Sequence, residues 1–159
     1  MHTLTTESLI KAFMQLGIKQ ADGLLVHSAV QFLGKPVDGL ETYLEAILEV
    51  IGPEGTLAVP TFNFGFCRGE VFDPETTPSI DMGVFSEYIR QRPASRRTKH
   101  PMQSLAVLGK DADEFSAIDT RSAFEDGSVF DEMIECEYKL LFLGANIQSA
   151  SLAHWSEQR

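Results

Sequence analysis

The sequence is poor in cysteine, in long apolar runs and in positive charge, and each shortage removes a class of explanation. Its two cysteines, Cys67 and Cys136, stand far apart with no metal-ligand spacing near either. One disulfide is open to them, but two buried or incidental thiols are the expectation. No apolar run approaches the ~20 residues that a helix needs to span a bilayer. The N-terminal MHTLTTESLIKAF has neither a basic region nor a small-residue cleavage site, so no secretory leader is expected and a cytoplasmic location is. Lysine and arginine number 13 against 23 acidic residues, a net charge of −10 at pH 7. That balance argues against nucleic acid and anionic membrane as partners. HExxH and CxxC are missing, so no metal is expected, and the Walker loop, the GxGxxG fingerprint and the GxSxG elbow are missing too. Nucleotide-hydrolase and dinucleotide readings are therefore weak. There is no internal repeat, low-complexity segment or linker.

What remains is a chain of 159 residues, 43% hydrophobic and 23% charged, read as a single α/β domain over 1–159. Its charge is uneven. Ten acidic residues and only Arg121 of opposite sign fall in 111–137, whereas five basic residues and no acidic one fall in 90–99. The acidic stretch is either a solvated face or a funnel for a cationic substrate. The basic run is either a surface loop or a grip on an anionic cofactor.

Thr6 is a plausible N-cap for a helix in which Leu9, Ile10, Phe13 and Met14 recur at helical spacing. Leu24-Leu25-Val26 reads as a buried strand with His27-Ser28 at its tip. A second helix covers 39–51 and is stopped by Gly52-Pro53, and 56–59 is the next strand, ended by Pro60. A long loop over 63–81 follows, then a helix over 82–92, a strand over 104–109, a short helix over 111–118, a core strand over 140–144 and the start of a helix at 151. Strands alternating with helices imply an α/β fold with a mixed or mainly parallel sheet flanked by helices.

Several residues stand where chemistry is often found. His27 and Ser28 end a strand, where polar side chains face ligand crevices. His100-Pro101 and Ser104 join the basic run to a strand. His154 and Glu157 are spaced i, i+3, which puts an imidazole and a carboxylate on one helical face, as an oriented general base requires; an exposed pair without a role has the same spacing.

In order, LLVHSAVQFLGKPVDGLETYLEAILEVIGPEGTLAVPTF, FDPETTPSIDMGVFSEYIR, KHPMQSLAVLG, EDGSVFDEM and LLFLGANIQSASLAHWSEQ resemble the aminoglycoside 3-N-acetyltransferase (antibiotic N-acetyltransferase) family. The resemblance implies an α/β fold distinct from the GNAT acetyltransferases, no metal, and acetyl-CoA as co-substrate for acylating a cationic amine of an aminoglycoside or related amino sugar, a resistance activity. The family's threonine-x-x-histidine-x-x-glutamate pattern falls on Ser151, His154 and Glu157. It implies His154 as general base, Glu157 as its support and Ser151, in place of threonine, as donor to the thioester oxygen. By the same resemblance His27, Ser28, His100 and Ser104 line the acyl-CoA site. Arg96, Arg97 and Lys99 are the candidates for the phosphates, although Arg97-Thr98-Lys99 departs from the arginine-serine that the family often has before histidine-proline. Family members continue well beyond the histidine–glutamate block, so part of the fold and much of the acceptor pocket are expected to be lacking. Self-association through an unpaired edge follows from that expectation. The alternative is a catalytically inactive relative that serves as a binding or assembly protein.

Overall fold

Each apolar run of the sequence becomes a strand or one face of a helix, because burial is what removes it from water. The computed structural model describes residues 3–157, without the side chains of His154 and Glu157. A short strand β1 (Thr3–Leu4) leads into helix α1 (Thr6–Gln15), strands β2 (Gly23–Ser28) and β3 (Lys35–Pro36), helix α2 (Leu40–Ile51) and strand β4 (Thr56–Pro60). Helix α3 (Val84–Arg90), strands β5 (Arg96–Arg97) and β6 (Leu105–Gly109), and helices α4 (Ala112–Ala117) and α5 (Val129–Glu135) follow. Strand β7 (Lys139–Leu143) and helix α6 (Ala153–Glu157) complete the order.

The main sheet runs β5-β6-β4-β2-β7 and is mixed. β2 pairs parallel with β4 and with β7, while β6 is antiparallel to β4 and β5 to β6. β1 and β3 form a separate parallel pair. Side chains alternate across a pleated strand. Leu24, Val26, Leu57, Val59, Leu141 and Leu143 therefore face one way, against α1, α2 and α3. Leu25, Ala58, Leu105 and Val107 face the other way, against α4 and α5, with Leu152 and Trp155 packed on the same cluster. The chain steps from β2 to β4 over the first face and returns from β6 to β7 over the second, so it leaves β2 in both directions. That reversal opens a crevice outside the carboxyl ends of β2, β4 and β7.

Two expectations are corrected. The first helix is capped by Thr5, not Thr6: its hydroxyl accepts from Ser8 N at 3.2 Å while Ser8 Oγ accepts from Thr5 N at 3.0 Å, a reciprocal box. Helix α5, unforeseen, buries Phe130 and Met133 and is capped by Ser128. Cys67 and Cys136 are free and exposed, so of the readings open to them they are incidental thiols. Among the described residues, no helix is long and apolar enough to cross a membrane.

Candidate active site

The parallel register of β2 and β7 sets His27 opposite Phe142, and the two rings stack at 5.7 Å between centroids. By the alternation of β2, His27 lies on the face of Leu25, toward α5 and α6. It is 5% exposed. Burial disfavours its charged form and lowers its pKa from 6.5 to about 4, so the imidazole is neutral at physiological pH.

Just past β7 the chain returns across the tip of β2. Ala29 N donates to Leu143 O at 2.9 Å, and Ser28 and Gly144 form an antiparallel bridge. Gly144 has φ +76°, and a Cβ there would lie 2.6 Å from Ala29 O, so the close approach requires glycine. A one-turn 3-10 helix, Ile147–Ser149, then carries the chain to Ser151. Ser151 is buried, with its Oγ 3.3 Å from His27 Nε2. Helix α6 begins two residues later, and its Trp155 donates from Nε1 to Asp131 Oδ1 of α5 at 3.1 Å. The side chains of His154 and Glu157 lie outside the described residues; their backbone belongs to α6.

His27 and Ser28 line a cavity of about 250 Å³ together with Pro60, Phe62, Asp81, Met82, Ala145 and Ser149. Ser28 Oγ is buried beside it without a hydrogen-bond partner among the described residues. Loops after three strands thus supply the walls, and the sequence-predicted His27, Ser28 and Ser151 are brought together.

The other predicted residues are dispersed. Arg97 is 9% exposed and turned inward. Its Nε donates to Ser104 Oγ at 3.0 Å and Thr61 Oγ1 at 3.2 Å, its Nη2 to Thr61 O at 2.6 Å, and its Nη1 to Thr77 O. Burial and the neighbouring Arg90 lower its pKa to about 10, with Glu87 and Asp73 opposing. Ser104 is wholly buried and donates to Thr61 O at 3.0 Å. Arg97 and Ser104, expected at the cofactor, are therefore engaged with each other and with the end of β4. His100 Nδ1 accepts from Gln103 N at 3.1 Å, and burial lowers its pKa. It lines a small pocket with Ile118, Thr120 and Phe130, and His27 is not among that pocket's residues. Arg96 pairs with Asp113 at 3.1 Å and Lys99 reaches Ala117 O at 3.1 Å. These two share a groove of about 520 Å³ with Arg90, Ser95, Ser116 and the edge of Arg97. Among the described residues no cluster of His, Cys, Asp and Glu suits a metal.

The family model for aminoglycoside 3-N-acetyltransferase matches residues 25–159. Aminoglycoside N(3)-acetyltransferase III from Salmonella sp. is 26% identical over 96% of this chain and 60% of its own length. The Streptomyces paromomycinus aminoglycoside N(3)-acetyltransferase VII is 26% identical over 97% of this chain and 60% of its own. The chain thus spans about three fifths of the length of these relatives. A solved structure of AAC-IIIb in binary complex with CoASH superposes at a TM-score of 0.90, with 28% identity over 99% of this chain and 65% of that one. The aminoglycoside acetyltransferase AAC(3)-Xa does so at 0.90, with 26% identity over 98% and 61%.

Proposed function

The chain belongs to the aminoglycoside 3-N-acetyltransferase family, and from that membership we propose that it transfers the acetyl group of acetyl-CoA to an amine of an aminoglycoside or related amino sugar. Such an amine is largely protonated at neutral pH and must lose a proton before its lone pair can attack. His154 takes that proton, and Glu157, one turn along α6, orients the imidazole. The nitrogen then bonds to the acetyl carbon, negative charge gathers on the thioester oxygen and the nitrogen sheds its second proton to solvent. As the oxyanion collapses, the carbon–sulfur bond breaks and the sulfur takes the proton held by His154, leaving as the CoA thiol.

Ser151 is the candidate donor to that oxygen. The observation that supports this role best is its 3.3 Å contact with His27 Nε2. A neutral His27 carrying its proton on Nε2 donates to Ser151 Oγ and leaves the serine proton free for the thioester oxygen. Arg96 and Lys99 in their shared groove are the candidates for the cofactor phosphates. A net charge of −10 suits a polycationic acceptor.

The test is release of CoA thiol by the 159-residue chain from acetyl-CoA and a 2-deoxystreptamine aminoglycoside. Turnover is expected, with a loss of about 10²–10⁴ in kcat for His154→Ala, a loss of about 10²–10³ for Ser151→Ala, and activity retained in Ser151→Thr. A folded chain that neither binds acetyl-CoA calorimetrically nor acetylates any amine would overturn the proposal. Turnover with a different amine alone would keep the chemistry and change the acceptor.

A further inference from the structure

The structure assigns Arg97 a positioning role: it fastens the 63–81 segment across the carboxyl end of the sheet and thereby fixes one wall of the His27 crevice. The segment leaves β4 through Thr61 and Phe62 and comes back through Thr77 to Met82. Arg97 joins both arms, donating to Thr61 O on the outgoing one and to Thr77 O on the returning one. Its guanidinium also lies under the Phe72 ring, 5.0 Å from the centroid, so the excursion closes over it. Nearby bonds continue the fastening. Asn63 Nδ2 donates to Pro78 O at 2.8 Å, and Ile80 N donates to Phe62 O at 2.9 Å. Ser79 donates to Glu87 Oε2 from its N and Oγ at 3.1 and 2.9 Å. The segment's return delivers Asp81 and Met82 to the cavity opposite Phe62.

A guanidinium suits this task because it carries donors on three nitrogens in a fixed plane and reaches acceptors in different directions at once. A lysine ammonium offers a single nitrogen and cannot span them. The depressed pKa agrees with a cation drawn into the protein to serve carbonyl oxygens. Nothing about the basic run 90–99 announces this, since Arg97 also borders the groove that Arg96 and Lys99 share and by position alone would read as a phosphate ligand.

Hydrogen exchange over peptides covering 63–81, with steady-state kinetics beside it, tests the assignment in Arg97→Lys and Phe72→Leu. The expected result is exchange in 63–81 faster by about tenfold in Arg97→Lys, with peptides of β2 and β4 unchanged. A smaller acceleration in the same segment is expected for Phe72→Leu. The kinetic arm rests on the acetyl-transfer reading: the KM for acetyl-CoA or the acceptor rises about tenfold while kcat holds within a few-fold. Unchanged exchange together with a salt-sensitive loss of acetyl-CoA affinity would make Arg97 a phosphate ligand and overturn the assignment, as would no change in either. If Arg97→Lys does not fold, Phe72→Leu decides: unaltered exchange in 63–81 overturns it. The exchange arm needs no turnover, so an inactive chain would sink the acetyl-transfer reading without touching this one.

Discussion

Replacing His27 by glutamine should flatten the acid limb of the protein's stability. The imidazole is buried between Phe142 and the chain leading to Ser151, and its pKa falls from 6.5 to about 4 through desolvation. A depressed histidine pKa means that the unfolded chain binds the proton more readily than the folded one. Its contribution is therefore complete above pH 6.5 and is lost as pH falls toward 4. The full shift corresponds to at most about 3 kcal/mol, of which about 2 kcal/mol disappears between pH 7 and pH 5. That is a large share of the ~5–15 kcal/mol that holds a domain together.

Urea unfolding at pH 7, 6 and 5 measures it, as the gap between wild type and His27→Gln. Relief of acidic self-repulsion and the titration of His100 run in parallel in both proteins and cancel in that gap. Glutamine loses the stack on Phe142 at every pH, which offsets the curve without tilting it. The gap should narrow by about 2 kcal/mol from pH 7 to pH 5. A gap constant to within a few tenths of a kcal/mol would refute the reasoning, and so would a His27 proton resonance that titrates near pH 6.5. His27 stays neutral above pH 5, so on the proposed acetyl transfer any acid limb has to come from another group.

Gly144→Ala should destabilise by about 3 kcal/mol or more, since it adds a left-handed penalty to a Cβ set 2.6 Å from a backbone carbonyl. Gly127→Ala, also at positive φ but with open space around it, should cost about 1–2 kcal/mol in the same thermal unfolding assay; equal losses would refute the close-approach argument. Strand β7 ends the described sheet order with Leu140 38% exposed, so sedimentation should show concentration-dependent self-association that Leu140→Lys suppresses. A clean monomer at all concentrations would remove that prediction.

The strands were legible where they are apolar without interruption. Leu24 to Val26, Leu57 to Val59 and Leu105 to Val107 are covered on both faces, so composition alone marks them. Helix α5 was not, because its buried Phe130 and Met133 make only one turn's worth of period inside the most acidic part of the chain. The two-residue strands β1, β3 and β5 exist through pairing, β1 with β3 across about thirty residues and β5 with the following β6, and are too short to leave a local pattern. In the site, His27 and Ser28 were visible as the polar tip of a buried strand. The contact of His27 with Ser151 spans 124 positions and is made by the β2–β7 register and by the bare backbone of Gly144. Neither follows from spacing.

The basic run 90–99 shows why charge along a sequence is a poor guide to charge in space. Arg96 and Arg97 are neighbours on β5, and a strand turns neighbours to opposite sides. One reaches Asp113 at the surface, while the other enters the protein to bind Thr61, Ser104 and Thr77. Arg90 is held by Glu87 at 2.6 Å and Arg92 by Glu41. A stretch that reads as one cationic patch is thus divided among a helix pair, a tether between helices, a groove and a buried strut. Any phosphate-binding function in it narrows to the residues that open on the groove, Arg96 and Lys99 with Arg90 and the edge of Arg97 at its margin. The buried arginine acts on the crevice through the segment it holds.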